Sequence, residues 1–308
     1  MKFGKLEDID QVDFSMPCDM PQTRETLAKN RRSGDQVPFY MGGTGWSAKE
    51  WVGVIYPADA KAKDYLKYYS QSFNTIELNT THYRIPTAEM VEKWRTESAA
   101  DFRFCPKIPQ TVSHATDLSV NTGLIEQFTN AVSGLGEKLG CCFIQLPPYF
   151  GVDKLAVLER FLQQFPSNIP LAVEARHESW FNNVQNANKL FTLLEKYNIS
   201  SVITDVAGRR DVLHMRLTTN TAMVRFVGNG LHQTDYIRFN DWMRRFDNWY
   251  EQGLETMYFF LHQPDELAVI AIANYIAGLL QPFPRYLVKA LQTNTANTVG
   301  QQFSLFME

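Results

Sequence analysis

Four cysteines occur in 308 residues, and no two of them form a C-x2-C pair. That spacing marks zinc sites and redox-active dithiols, so neither is expected. Cys105, Cys141 and Cys142 lie in apolar segments, where cysteine behaves as a small hydrophobe, and they read as buried thiols of a reducing compartment. Charge of one sign is equally scarce. Thirty basic residues against 33 acidic ones leave a formal net charge of −3, which excludes a global basic field for nucleic acid or anionic lipid. No apolar run reaches the roughly 18 residues of a membrane span, and the opening MKFGKLEDID lacks the apolar core of a signal peptide. The expectation is a cytoplasmic protein with no membrane partner.

Several chemical signatures are missing too. Gly42-Gly43-Thr44-Gly45-Trp46 lacks the third glycine of a dinucleotide-binding turn. His-Glu-x-x-His and Gly-x-Ser-x-Gly do not occur, which removes the common zinc-hydrolase and serine-nucleophile readings. No metal or nucleotide cofactor is predicted from these motifs, and the cofactor stays unknown at this point.

What is present is a rhythm. Residues 1–37 are polar, with one short helix expected near Thr23 to Lys29. From Pro38 the chain alternates short apolar runs with amphipathic stretches. The runs are PFYMGGTGW, NTIELNTTHY, FRFCPKIP, CCFIQLPP, PLAVEARH, ISSVITDV, TAMVRFVG and TMYFFLH. Helical patterns follow most of them; the sixth unit, VAGRRDVLHMRLTTN, is short and has no clean helix. No Asn-Gly hairpin joins one run directly to the next. Short apolar runs alternating with helices indicate a parallel sheet buried on both faces. Eight units over about 250 residues match a closed (β/α)8 TIM barrel. The expected organisation is a polar extension (1–37), one barrel domain (38–290) and a tail (291–308).

In such barrels the site lies at the carboxyl ends of the strands. Polar residues near those ends are Thr44 and Trp46; Glu77, Asn79, His82 and Tyr83; Lys107; Gln145; Glu174, Arg176 and His177; Thr204 and Asp205; Arg225; and His262. Charge within apolar strands is costly unless it is paired or used. Glu174 and Arg176 alternate onto one side of their strand. Glu77 and Glu174 are the candidate acid/base groups, and Lys107, Arg176 and Arg225 the candidate anion holders. The alternative is an ion-pair network, three positive charges against Glu77, Glu174 and Asp205. Aromatic residues at the rim, among them Trp46, Tyr83, Tyr149 and Trp180, either stack on a ligand or lie buried as lids. No histidine spacing typical of a metal site occurs.

The stretches GTGWSAKEWVGVIYP, FNTIELNTTHYRIPT, FRFCPKIPQTVSH, FIQLPPYF, VEARHESWF and MVRFVGN resemble, in that order, the YecE-like family, domain of unknown function 72. The resemblance implies a TIM barrel and a pocket lined by Glu77, Asn79, Tyr83, Lys107, Gln145, Glu174, Arg176, His177, Trp180 and Arg225. It brings no reaction with it. In the tail, Gln302-Phe303-Ser304-Leu305-Phe306 resembles the peptide by which bacterial repair and replication proteins dock on the sliding clamp, with Gln302, Leu305 and Phe306 as anchors. The leading expectation is an enzyme acting on an anionic, phosphate- or nucleotide-like ligand. The alternatives are a nucleic-acid-binding or repair-associated protein on the sliding clamp, and a non-catalytic scaffold.

Overall fold

The apolar runs form strands in the computed structural model, which describes residues 4–29 and 36–291. Helix α1 (Pro21–Lys29) precedes β1 (Val37–Gly42). Then come α2 (Tyr65–Ser72), β2 (Thr75–Leu78), α3 (Thr80–Tyr83) and α4 (Ala88–Glu97), followed by β3 (Arg103–Pro106), α5 (Gln110–Ser113) and α6 (Leu124–Ser133). Next are β4 (Cys142–Gln145), α7 (Leu155–Gln164), β5 (Leu171–Glu174), α8 (Val184–Lys196) and β6 (Ser200–Asp205). The last described elements are β7 (Thr221–Val227), α9 (Gln233–Gln252), β8 (Thr256–His262), α10 (Glu266–Leu280) and a ninth strand, β9 (Tyr286–Val288). The sliding-clamp residues Gln302, Leu305 and Phe306 lie outside the described residues.

Seven strands form one sheet in the order β4-β5-β6-β7-β8-β1-β9, and β2 pairs with β3 in a second. Every pairing between these strands is parallel, which is why helices separate most of them in sequence: a parallel neighbour needs a long crossover. The molecule is thus a mixed α/β fold built on parallel strands.

The edge of β1 away from β8 is satisfied in three steps. Near its start, Val37 N donates to Arg285 O beside β9 (2.7 Å). Further along, the Asn74 side chain donates to Phe39 O (2.9 Å) and accepts from Met41 N (2.8 Å). Past its end, Glu77 N of β2 donates to Gly43 O (3.0 Å). A Cβ on Gly42 would stand 1.9 Å from Thr75 O, so the close approach of β1 and β2 requires glycine. On the other side, Gly140 N donates to Phe104 O (2.7 Å) and Ile108 N to Phe143 O (2.8 Å), joining β3 to the start and middle of β4.

Strand alternation sorts the side chains onto two faces. One face carries Cys105, Cys141, Phe143, Ala172, Val202, Met223, Tyr258 and Phe260 in a single apolar cluster, with Tyr40 against it. We call this the inner face. The other packs under the helices through Phe39, Phe104, Ile144, Val173, Ile203, Val224 and Phe259, among others. Burying each large apolar side chain here contributes roughly 1.5–3 kcal/mol. No helix among the described residues is long and apolar enough to cross a membrane.

The polar amino-terminal residues pack closely onto this frame. Thr23, Thr26 and Leu27 of α1 are buried. Thr23 Oγ1 donates to Met215 O (2.9 Å), and Asn220 Nδ2 donates to Leu27 O (3.0 Å). Thr26 Oγ1 donates to Glu195 on α8 (2.6 Å). The stretch between β6 and β7 holds only a kinked 3-10 turn, Ala207–Val212, so α1 covers the ground that the helix-poor sixth unit leaves bare.

Candidate functional site

Along each strand, the inner face turns polar at the carboxyl end. One step beyond Cys105 on that face, the chain presents Lys107; beyond Phe143, Gln145; beyond Ala172, Glu174 and then Arg176. Val202 is followed by Thr204, Met223 by Arg225 and Phe260 by His262, while Glu77 lies level with Cys105 in the β2–β3 pairing. Period-two alternation therefore delivers seven strands' polar residues to one end of one face.

They meet around Arg225. Its Nε and Nη2 donate to the two Glu77 oxygens (2.8 and 3.0 Å), and its Nη1 donates to both Glu174 oxygens (3.1 and 3.0 Å). Glu174 also accepts from Arg176 Nε (2.7 Å), Gln145 Nε2 (2.7 Å) and Thr204 Oγ1 (3.0 Å). Glu77 accepts from Asn79 Nδ2 (3.0 Å) and from His262 Nε2 (2.9 Å). Lys107 Nζ donates to Gln145 Oε1 (2.9 Å). A bidentate guanidinium–carboxylate pair is among the stronger hydrogen-bonded units in proteins, and here one guanidinium serves two carboxylates.

The electrostatics follow from burial and partners. Burial alone would raise the Glu174 carboxyl, but Arg176 and Arg225 outweigh it and hold it down at about 2. Glu77 is likewise buried, and Arg225 and His262 keep it well below the usual carboxylate range. Burial pushes the Lys107 ammonium down to about 8, with Glu77 countering only in part. Three cations thus face two carboxylates, because the third expected carboxylate is elsewhere.

That residue is Asp205. Next to Thr204, it points to the opposite face, where it is fully buried. It pairs with Arg210 and accepts from Arg238 Nη1 (3.1 Å) and Trp242 Nε1 (2.9 Å). The expected balance of three against three is corrected to three against two, leaving one positive charge in surplus.

A cavity of about 180 Å³ opens beside the cluster, lined by Arg176, Arg225, Thr204, Thr44 and His262, with Lys5 and Glu266 at its edge. Lys5 and Glu266 were not read from the sequence. Nothing in a polar extension marks Lys5, and Glu266 looks like an ordinary first-turn acid of α10. Burial, with Glu50 and Asp265 nearby, raises the Glu266 carboxyl.

Other expected residues lie apart from this cavity. Trp180 is fully buried in the apolar layer, its Nε1 donating to Phe150 O (2.7 Å); it is a lid of the core and not a ligand platform. Trp46 is half-buried, edge-on to Trp94 (6.2 Å). His177 accepts from Ser179 N (3.0 Å) and so shapes its own turn. Tyr83 is 78% exposed, with the His82 ring beside it (5.5 Å). Among the described residues, no three His, Cys, Asp or Glu side chains are gathered as metal ligands would be.

Parallel strands that send one charged cluster to their carboxyl ends define a class of α/β proteins with a strand-end site. Within that class the chain belongs to the family described as protein of unknown function DUF72, whose model matches residues 40–295. It is 31% identical over 245 residues to the UPF0759 protein YecE of Escherichia coli K12, covering 74% of this chain and 87% of that protein. Over 151 residues it is 29% identical to the UPF0759 protein YunF of Bacillus subtilis, covering 47% of this chain and 52% of YunF. A crystal structure of a DUF72 family protein from Enterococcus faecalis V583 has a similar fold. Its TM-score is 0.65 at 18% identity, covering 80% of this chain and 98% of that one.

Proposed function

We propose that the chain is an enzyme that holds a small anion, phosphate- or carboxylate-bearing, in the cavity beside Arg176 and Arg225. The observation that carries this reading is the excess of cations within the cluster: Lys107, Arg176 and Arg225 share two cluster carboxylates, Glu77 and Glu174, because Asp205 is turned to the opposite face, while Glu266 stands at the cavity's exposed edge. A desolvated surplus charge is costly, and an anionic ligand is what relieves it. The cavity's size, about 180 Å³, suits a phosphate or a small carboxylate better than a nucleotide.

The same geometry moves the acid/base role away from the two buried glutamates. A carboxylate held at about 2 is neither a proton donor nor an effective base near neutrality. His262 and Glu266 line the cavity and take that role. Glu77 accepts a hydrogen bond from His262 Nε2–H (2.9 Å), which orients the ring and leaves Nδ1 as the nitrogen with the free lone pair. Glu266, at the cavity's exposed edge with partial burial, Glu50 and Asp265 raising its carboxyl, is the second group placed to exchange a proton with the ligand.

We propose, further, that the parallel strands close into a barrel. Seams on both sides of the β2–β3 pair, through Asn74, Gly43 and Glu77 to β1 and through Gly140 and Ile108 to β4, support one closed (β/α)8 barrel with the site at its mouth. The contact between Glu77 on β2 and Arg225 on β7 supports it too. On an open sheet, strands spaced about 4.8 Å apart would hold those residues well beyond hydrogen-bond reach. Calorimetric titration of inorganic phosphate into the full chain at low ionic strength tests the site. Binding that Arg176→Gln weakens at least tenfold supports it; wild-type protein that takes up neither phosphate nor small carboxylates sinks it.

A further inference from the structure

We infer that Lys5, carried by a strap that precedes the family-matched region, is a ligand-binding residue of the strand-end site. The inference rests on the anion reading above and adds to it the source of a further cation. The family match begins at residue 40, yet Lys5 lines the same cavity as Arg176 and Arg225. Lys5 forms no ion pair among the described residues, and its side chain is exposed at the cavity edge. An ammonium in that position gains most when an anion bridges it to the two guanidiniums.

The strap is seated at several points along its length. Gly4 has φ +67°, and a Cβ there would meet Val206 Cγ1 at 2.9 Å, so only glycine fits both the backbone and the space. Gly208 N donates to Gly4 O (2.8 Å), which fixes the residue next to Lys5 over the end of β6. The Phe14 ring lies against the guanidiniums of Arg210 (5.4 Å) and Arg238 (4.9 Å). Arg210 Nη2 also donates to Phe14 O (3.2 Å) and Ser15 O (3.1 Å). Those are the arginines that Asp205 holds, which gives that buried carboxylate a place in the design. Lower down, Asp19 pairs with Arg245 and accepts from Trp249 Nε1 (3.1 Å) on α9. The segment from Gly4 to Asp19 is therefore laid along the molecule with Lys5 aimed at the mouth.

The test uses the full chain, with inorganic phosphate as probe at low ionic strength. Lys5→Ala is expected to weaken binding roughly 3- to 5-fold, the size of a partly exposed charge contact; Lys5→Glu weakens it further, and Lys5→Arg restores it. Lys5 is exposed, so the melting temperature should not move, whereas Phe14→Ala should weaken phosphate binding by loosening the strap. Wild-type protein that binds phosphate while Lys5→Ala binds it equally well overturns the inference and leaves the anion site standing. Wild-type protein that binds no anion overturns both.

Discussion

Glu174 accepts hydrogen bonds from Arg225, Arg176, Gln145 and Thr204, and each of those partners stabilises the ionised form. Breaking a buried pair from one side leaves the other charge stranded. Glu174→Gln is therefore expected to destabilise the fold by about 3–5 kcal/mol, measured by urea unfolding at neutral pH. The sign with pH is fixed by the depressed carboxyl. With an unfolded value of 4.5 and a folded value of about 2, its contribution is complete above 4.5 and lost as pH falls through 2. The variant should lose that part of the wild-type acid dependence; an unchanged slope between those limits would remove Glu174 as the anchor. Lys107 behaves oppositely as a binding group. Its ammonium, held at about 8, supplies the surplus charge below that pH and loses it above. Phosphate affinity should decline as pH rises through 8, and Lys107→Met should abolish that decline. Those residues were legible in the sequence because charge stands out in apolar strands. Their roles were not. Thr204 and Asp205 are adjacent, and only the register decides which of them faces the cluster.

At the scale of elements, the strands were legible because each is a short apolar run bounded by polar or turn residues, and β9 was missed because Tyr286–Val288 is too short to carry a period. The weak sixth unit was also legible, as a lack of helix. What fills its place was not, since α1 has low amphipathicity and buries two threonines with Leu27. Its polar side chains are used for hydrogen bonds to Met215 O and Glu195, 192 and 169 residues away in sequence, a pairing that no local pattern announces. The β1–β2 seam is similar, because an asparagine side chain there takes the place of a backbone ladder. Asn74→Ala would orphan Phe39 O and Met41 N, both served by that amide. Buried groups left without partners cost about 1–3 kcal/mol each. A loss of about 2–6 kcal/mol in denaturant unfolding is expected, against no more than about 1 kcal/mol if water replaces the side chain.

For the whole molecule, the question is whether two sheets act as one closed wall. A polar cluster spanning β2, β5, β7 and β8 holds its geometry only if those strands cannot drift apart, and Arg225 joins Glu77 to Glu174 across the inner face. In a closed barrel no strand edge is left open, so an amide at a seam opens only when the whole domain unfolds. The amides of Glu77, Ile108 and Gly140, which bond to Gly43 O, Phe143 O and Phe104 O, are expected to exchange hydrogen as slowly as those of β7. The β7 amides lie between two paired neighbours and set the reference. Seam amides that exchange orders of magnitude faster, with β7 still protected, would mean that β2 and β3 hinge away from the larger sheet. The Glu77–Arg225 contact would then break with each opening, and the surplus positive charge would no longer be fixed at one place.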